Sequence, residues 1–201
     1  MKPRFLKFLV AASLLAGSAA SQAGVLFSDN FDASAGGLNV TPTGWTVSDG
    51  TVDVVSGGFC LAGRCIDLDG SSGNAGVLSR TFALLGGVEY VLSFDLAGNR
   101  RSGIDDVLVS FGSASRFFDD LASNSPYTGY TLNFTPDSDG MYSISFANAG
   151  GDNVGALLEN VVITALDGNQ GEVPEPASVA LAGLGLAALY LTRRKRAKPN
   201  S

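Results

Sequence analysis

The chain predicts an all-β fold, an antiparallel sandwich set between two terminal targeting segments. Three observations carry this expectation. Short runs alternate apolar and polar residues, as in Tyr90-Val91-Leu92-Ser93-Phe94 and Met141-Tyr142-Ser143-Ile144-Ser145-Phe146, the period of a strand with one face in a core. Turn-forming residues cluster between the runs, at Asp49-Gly50, Gly86-Gly87 and Asp137-Ser138-Asp139-Gly140, each in a position to reverse the backbone. Between the two ends, no apolar pattern of helical period persists.

In chain order, residues 1–23 have the three parts of a secretory signal peptide: basic Lys2, Arg4 and Lys7, an apolar run over 8–16, and small residues ending in Ser21-Gln22-Ala23. Cleavage by signal peptidase is expected before Gly24. The apolar run is well short of the ~20 residues a membrane span needs, so the domain that follows is expected to be exported.

Residues 24–168 form the sandwich domain, with strands expected over 25–31, 45–48, 51–55, 65–68, 77–84, 89–96, 107–111, 130–134, 141–146 and 157–165. About ten strands without intervening helices argue a sandwich or jelly roll. The three turn clusters are expected to close hairpins. Phe94, Phe111, Phe134, Tyr142 and Phe146 fall on the alternation and belong to the core.

Residues 169–173 are a polar linker. Beyond it come Pro174-Glu175-Pro176, an uncharged stretch over 177–192, the cations Arg193, Arg194, Lys195 and Arg196, and a short tail over 197–201. The prolines keep the chain around Glu175 extended. A helix over 177–192 would rise roughly 24 Å, short of a ~30 Å hydrocarbon core. It can cross as a single transmembrane helix if the cations snorkel. Those cations hold their end, and residues 197–201, in the cytoplasm. The composition describes a weak membrane stop with a reachable peptide on its outer side.

Composition narrows the chemistry. The chain has 201 residues, 45% hydrophobic and 16% charged, with no histidine. Ser-His-Asp and Cys-His nucleophilic sites and most zinc sites are thereby excluded. Within residues 24–171 five arginines face 17 carboxylates, so nucleic acid is not expected as a partner. Neutral sugars and divalent cations suit this charge balance better.

The tail resembles the PEP-CTERM sorting signal of exopolysaccharide-producing Gram-negative bacteria, through Pro174-Glu175-Pro176, the apolar segment and the basic cluster. The resemblance implies processing by an exosortase. The protein would be tethered to the inner membrane, its domain in the periplasm, before passing to the envelope or the extracellular matrix. The domain is similar to the galactose-binding-like, carbohydrate-binding-module-like jelly roll, including domains of the DUF642 type. The landmarks are Phe31-Asp32, Gly44-Trp45, Ile66-Asp67-Leu68-Asp69-Gly70, the run over 87–94 and the closing Leu158-Glu159-Asn160-Val161-Val162-Ile163.

Several residues are candidates for more than packing. Cys60 and Cys65, in an oxidising compartment, are expected to form a local disulfide. A structural Ca²⁺ could be held by Asp32 with Glu159, which the resembled fold brings together on its first and last strands, or by Asp67 with Asp69 in a Gly-rich loop. The alternative for all four is a solvated or backbone-capping acid. Sugar rings could stack on Trp45, Tyr127 or Tyr130, with Phe117 and Phe118 also to be considered, although Trp45 also reads as core. Arg100-Arg101 beside Asp105-Asp106 reads as a solvated, self-neutralising turn. The expected function is that of a non-enzymatic, exported envelope or matrix protein associated with neutral exopolysaccharide. The alternatives are a calcium-stabilised carbohydrate-binding module and a glycan-active enzyme using two carboxylates.

Overall fold

Two antiparallel sheets face one another across a single apolar core in the computed structural model, which describes residues 23–166. In chain order the strands are β1 (Gly24–Asp29), β2 (Thr46–Ser48), β3 (Asp53–Ser56), β4 (Arg64–Asp67), β5 (Val77–Leu84), β6 (Tyr90–Ala97), β7 (Ile104–Phe111), β8 (Ala114–Ala122), β9 (Thr128–Phe134), β10 (Gly140–Ala149) and β11 (Leu157–Ala165). The signal segment, the linker and the whole tail, including its expected transmembrane helix, lie outside the described residues. Among the described residues no helix is long and apolar enough to cross a membrane.

One sheet runs β3-β4-β11-β6-β9, with β1 also paired to β11. Strand β4 meets β11 at Leu157 and Leu158, while β1 meets it from Val161 to Ala165. Strands β4 and β1 therefore share one flank of β11 end to end. The other sheet runs β2-β5-β10-β7-β8. Alternation places Leu92, Phe94, Leu158 and Ile163 from the first sheet against Leu78, Val109, Phe111, Ile144 and Phe146 from the second, all of them buried. Each such side chain contributes about 1.5–3 kcal/mol on leaving water.

The turn clusters do reverse the chain, but none closes a hairpin. Strands β2 and β3, β5 and β6, and β9 and β10 each lie in different sheets. Asp49-Gly50, Gly86-Gly87 and Asp137 to Gly140 are thus crossings between the layers. At Gly50 glycine is required by approach, since a Cβ there would lie 2.4 Å from the carbonyl oxygens of Asn74 and Ala75. Consecutive strands pair directly only in β3–β4 and β7–β8. The second of these is a tight hairpin through Gly112 and Ser113, with Phe111 opposite Ala114.

Strand β8 has no counterpart among the expected strands. Its sequence Arg116-Phe117-Phe118-Asp119-Asp120 does not alternate, because the pairing with β7 shifts register between Asp105 and Val107 and Asp120 takes a positive φ of 51°. A bulge spends an extra residue and breaks the period on which strands are recognised. Strands β8 and β9 stand at the ends of their sheets, and their shared side is sealed by Phe118 and Tyr130, ring centroids 4.6 Å apart, with the Arg116 guanidinium over both. On β5, Arg80 lies 4.3 Å over the ring of Phe27 from β1.

Candidate functional site

Cys60 and Cys65 are disulfide-bonded, as expected, and the short loop they close organises one end of the six-stranded sheet. Glu159, carried on β11 and almost fully buried, accepts the backbone N–H of Leu61 at 3.1 Å and of Ala62 at 3.3 Å. Asp32 accepts the N–H of Arg64 at 2.9 Å and the side-chain amide of Asn30 at 2.8 Å. The fold does bring Asp32 and Glu159 to the same loop, and each is committed to its amides. Burial is the main cause that pushes the Glu159 carboxyl above its ordinary range, against the pull of the two amides, and Asp95 and Asp32 add to the rise. Beneath the loop, Cys65, Ala97 and Leu157 form a small second core, covered by Val55, Phe59 and Tyr127. Tyr127 donates its hydroxyl to the carbonyl of Phe59 at 3.1 Å. Burial first, then the nearby Glu159 charge, raises its pKa.

The Gly-rich loop after β4 behaves differently from a solvated acidic turn. Asp67 and Asp69 are both fully buried. Asp67 accepts the N–H of Asp69 and of Gly155 and pairs with Arg101, whose guanidinium also lies over the Phe59 ring. Asp69 Oδ2 accepts the N–H of Gly151 at 2.7 Å and of Asp152 at 3.2 Å, fastening the loop before β11. Its Oδ1, like Nδ2 of the neighbouring Asn148, is buried without a hydrogen-bond partner. A Cβ on Gly150 would meet Asp69 and Asn148 together, at 2.4 and 2.6 Å, which places those two head groups side by side. Among the described residues, no three Asp, Glu, His or Cys side chains are gathered as a metal-binding group.

The expected self-neutralising turn is not formed. Arg101 reaches across to Asp67, Arg100 lies 5.5 Å over the Tyr127 ring, and Asp105 is buried and accepts Asn99 Nδ2 at 2.8 Å. Sequence neighbours in an extended strand point to opposite faces, so Asp105 turns into the sandwich and cannot meet the adjacent cations. Burial pushes the carboxyls of both Asp67 and Asp105 up to about 6. For Asp67 the desolvation outweighs even its arginine partner, as buried ion pairs commonly show.

The three candidate sugar platforms have other neighbours. Trp45 is a core residue among Phe27, Phe31 and Phe146, and its indole N–H donates to Asp29 Oδ2 at 2.8 Å. Tyr130 is packed against Phe94 and Phe118, and Tyr127 covers the second core. Phe118 is core, whereas Phe117 is 56% exposed.

What sequence reasoning missed is a surface rather than a residue. A contiguous set of outward positions on the five-stranded sheet carries Thr46 and Ser48 on β2, Val77, Ser79, Thr81 and Ala83 on β5, Met141, Ser143, Ser145 and Ala147 on β10, Leu108 and Ser110 on β7, and Ser115 and Phe117 on β8. None of these is charged, and the set ends on β7 at the next outward residue, Asp106, which accepts the backbone N–H of Asp120 at 2.9 Å. Register aligns Thr46, Ser79, Ser145, Ser110 and Ser115 in one row of hydroxyls across all five strands. A shallow depression of about 580 Å³ opens beside this row, lined by Ser110, Ser143 and Ser145 together with Met141 and Tyr142, and Asp137 is the charged residue in its wall. The sequence held a faint signal for it, in that the polar positions of these strands are Ser and Thr where a solvated sheet face commonly bears charge.

Comparison with known proteins addresses the two parts of the chain separately. Residues 172–196 match a described protein-sorting motif. The tail is a PEP-CTERM protein-sorting motif. No curated protein matches the chain by sequence. Among solved structures, the sandwich is similar to the CBM22-1 xylan-binding domain of Paenibacillus barcinonensis Xyn10C, with a TM-score of 0.50 at 13% identity over 74% of this chain and 99% of that one. It is also similar to the CBM22-1-CBM22-2 tandem domain of the same protein, with a TM-score of 0.53 at 13% identity over 80% of this chain and 50% of that one. This PEP-CTERM-tailed chain thus shares the fold of carbohydrate-binding modules, an all-β antiparallel sandwich as its sequence predicted.

Proposed function

We propose that the protein is an exported component of the cell envelope or extracellular matrix, sorted through its PEP-CTERM tail and associated with uncharged glycan without catalysing a reaction on it. The observation that carries this reading is the joining, in one chain, of a sorting motif over residues 172–196 to a sandwich with the fold of a xylan-binding domain. The steps follow from the sequence physics. Signal peptidase removes residues 1–23, the short apolar segment over 177–192 halts in the inner membrane, and Arg193, Arg194, Lys195 and Arg196 keep its end on the cytoplasmic side. An exosortase then meets Pro174-Glu175-Pro176 on the outer side. The excess of carboxylates over arginines disfavours anionic polymers and leaves neutral polysaccharide as the matching partner.

Intact mass and a glycan pull-down on protein recovered from the culture medium test this together. The reading expects a product that begins at Gly24, has lost the tail, and is retained by neutral polysaccharide. Recovery with the tail still attached to Ser201 from exosortase-bearing cells, or absence of retention by any neutral polysaccharide, overturns the corresponding half.

A second reading, a calcium-stiffened module, draws on one observation: the buried, unpartnered Asp69 Oδ1 beside Asn148. It expects a rise in melting temperature on adding Ca²⁺ that Asp69→Asn removes. No rise in the parent protein discards it.

A further inference from the structure

The uncharged stretch of the outer face of the five-stranded sheet, β2-β5-β10-β7-β8, is the site to which we assign the glycan: we propose that an extended, uncharged polysaccharide lies across it, along the row Thr46, Ser79, Ser145, Ser110 and Ser115. This rests on the glycan reading above and adds its place and chemical class.

The first argument is charge. Sixteen carboxylates and five arginines lie within residues 23–166, yet none of them occupies the 14 contiguous outward positions around the row, which Asp106 bounds at one end of β7. An anionic polymer would find no cation there and would be repelled by the acidic rim, whereas a neutral one meets no opposing field. The second is hydrogen-bonding versatility. A serine or threonine hydroxyl both donates and accepts, so a row of them can meet sugar hydroxyls of either sense without leaving a buried group unpaired. Their short side chains also lose little rotamer freedom when covered.

The third argument is geometry. Adjacent strands lie about 4.8 Å apart, so the row repeats at a spacing close to one residue of an extended glycan and spans about 19 Å over its four intervals. Beside the row, Leu108 and Phe117 face each other across β7 and β8 at 41% and 56% exposure, an apolar shelf suited to the C–H face of a sugar ring. On the opposite flank is the depression of about 580 Å³ beside Ser143 and Met141. A second copy of this chain fits less well. Face-to-face packing of two such sheets would bury both hydroxyl rows, and each hydroxyl left without a partner would cost free energy.

The test is affinity electrophoresis of the processed protein through gels containing xylan, a neutral β-glucan or the polyuronate alginate. The expected result is retardation by a neutral polymer and none by alginate. Ser145→Glu, at the centre of the row, is expected to weaken retardation at least tenfold, as is Ser115→Glu on the edge strand. Thr131→Glu, exposed on the outer face of the other sheet, is expected to leave it unchanged. Near-UV circular dichroism checks that each variant is folded, and Ser115→Glu decides the matter if Ser145→Glu is not. Retardation of the parent that survives both row variants overturns this assignment and leaves the glycan reading standing. Absence of retardation of the parent by every neutral polymer overturns the glycan reading itself. Equal retardation by alginate overturns the chemical class. A dimer in light scattering that Ser145→Glu disrupts, without neutral-glycan retardation of the parent, gives the face to a second copy instead.

Discussion

Glu159 accepts the backbone N–H of Leu61 at 3.1 Å across 98 positions of sequence. A buried carboxylate on the last strand thus depends on a loop whose geometry is maintained by the Cys60–Cys65 disulfide. Closing so short a loop contributes about 2 kcal/mol on the chain-entropy account. Replacing both cysteines by alanine, or reducing the bond, is expected to cost at least that much, because Glu159 also loses its positioned donors. A fall in melting temperature of about 5–10 °C should follow, measured by circular dichroism with and without reductant. An unchanged melting temperature would mean that the loop amides are held by its surroundings alone.

Stability should rise as the solution is acidified from pH 7.5 toward pH 5. Asp67 and Asp105 both titrate at about 6 in the folded protein against an ordinary value of 3.8. Between those values the native state holds protons that the unfolded chain releases. Their contribution is complete below the unfolded value and is lost as pH climbs through about 6. Thermal melts across this range should therefore show the higher midpoint at the acidic end. Asp105→Asn is expected to raise the midpoint at pH 7.5 and flatten the profile, since it removes the charge while keeping an oxygen for Asn99. A midpoint that rises toward pH 7.5 in the parent protein contradicts this account.

Arg101→Met should be among the costly substitutions in the domain. It leaves Asp67 fully buried without its cation, so that the carboxyl must either stay charged unpaired or take up a proton, and removes a hydrogen bond to the carbonyl of Asn153. Breaking a buried pair from one side costs about 3 kcal/mol. Asp67→Asn in the Arg101→Met background is expected to recover much of the loss, which urea unfolding would register as a return of the midpoint. Equal destabilisation in the single and double variants would place the effect in lost packing over Phe59.

Changing Pro174, Glu175 and Pro176 together to alanine should leave the domain as stable as before and alter only its fate. The tail-bearing form is expected to accumulate in the membrane fraction of exosortase-bearing cells, as read by intact mass. Normal release would show that Pro174-Glu175-Pro176 is not what the protease recognises.

Strand positions were legible wherever alternation survived, and β5 and β11 match their expected limits, 77–84 and 157–165. Partners were not legible. A Gly-Gly or Asp-Gly step sets how sharply the backbone turns, while the choice between returning in the same sheet and crossing to the other depends on which apolar face must be covered. The acids show the same division. Nothing local separates Asp67, buried beneath Arg101, from Asp32 at the surface, because the difference lies in loops that arrive from 30 or more positions away.

The sequence by itself determined the period of the strands, the apolar core, the disulfide and the sorting tail, all written in neighbouring residues. Only the tertiary structure decided which strands share a sheet, which carboxylates lose their water, and that hydroxyl-bearing positions from five separate strands line up in one row. The reason is physical: backbone conformation responds to local sterics, whereas solvent exclusion and the field at a surface are summed over residues that meet only when the two sheets close.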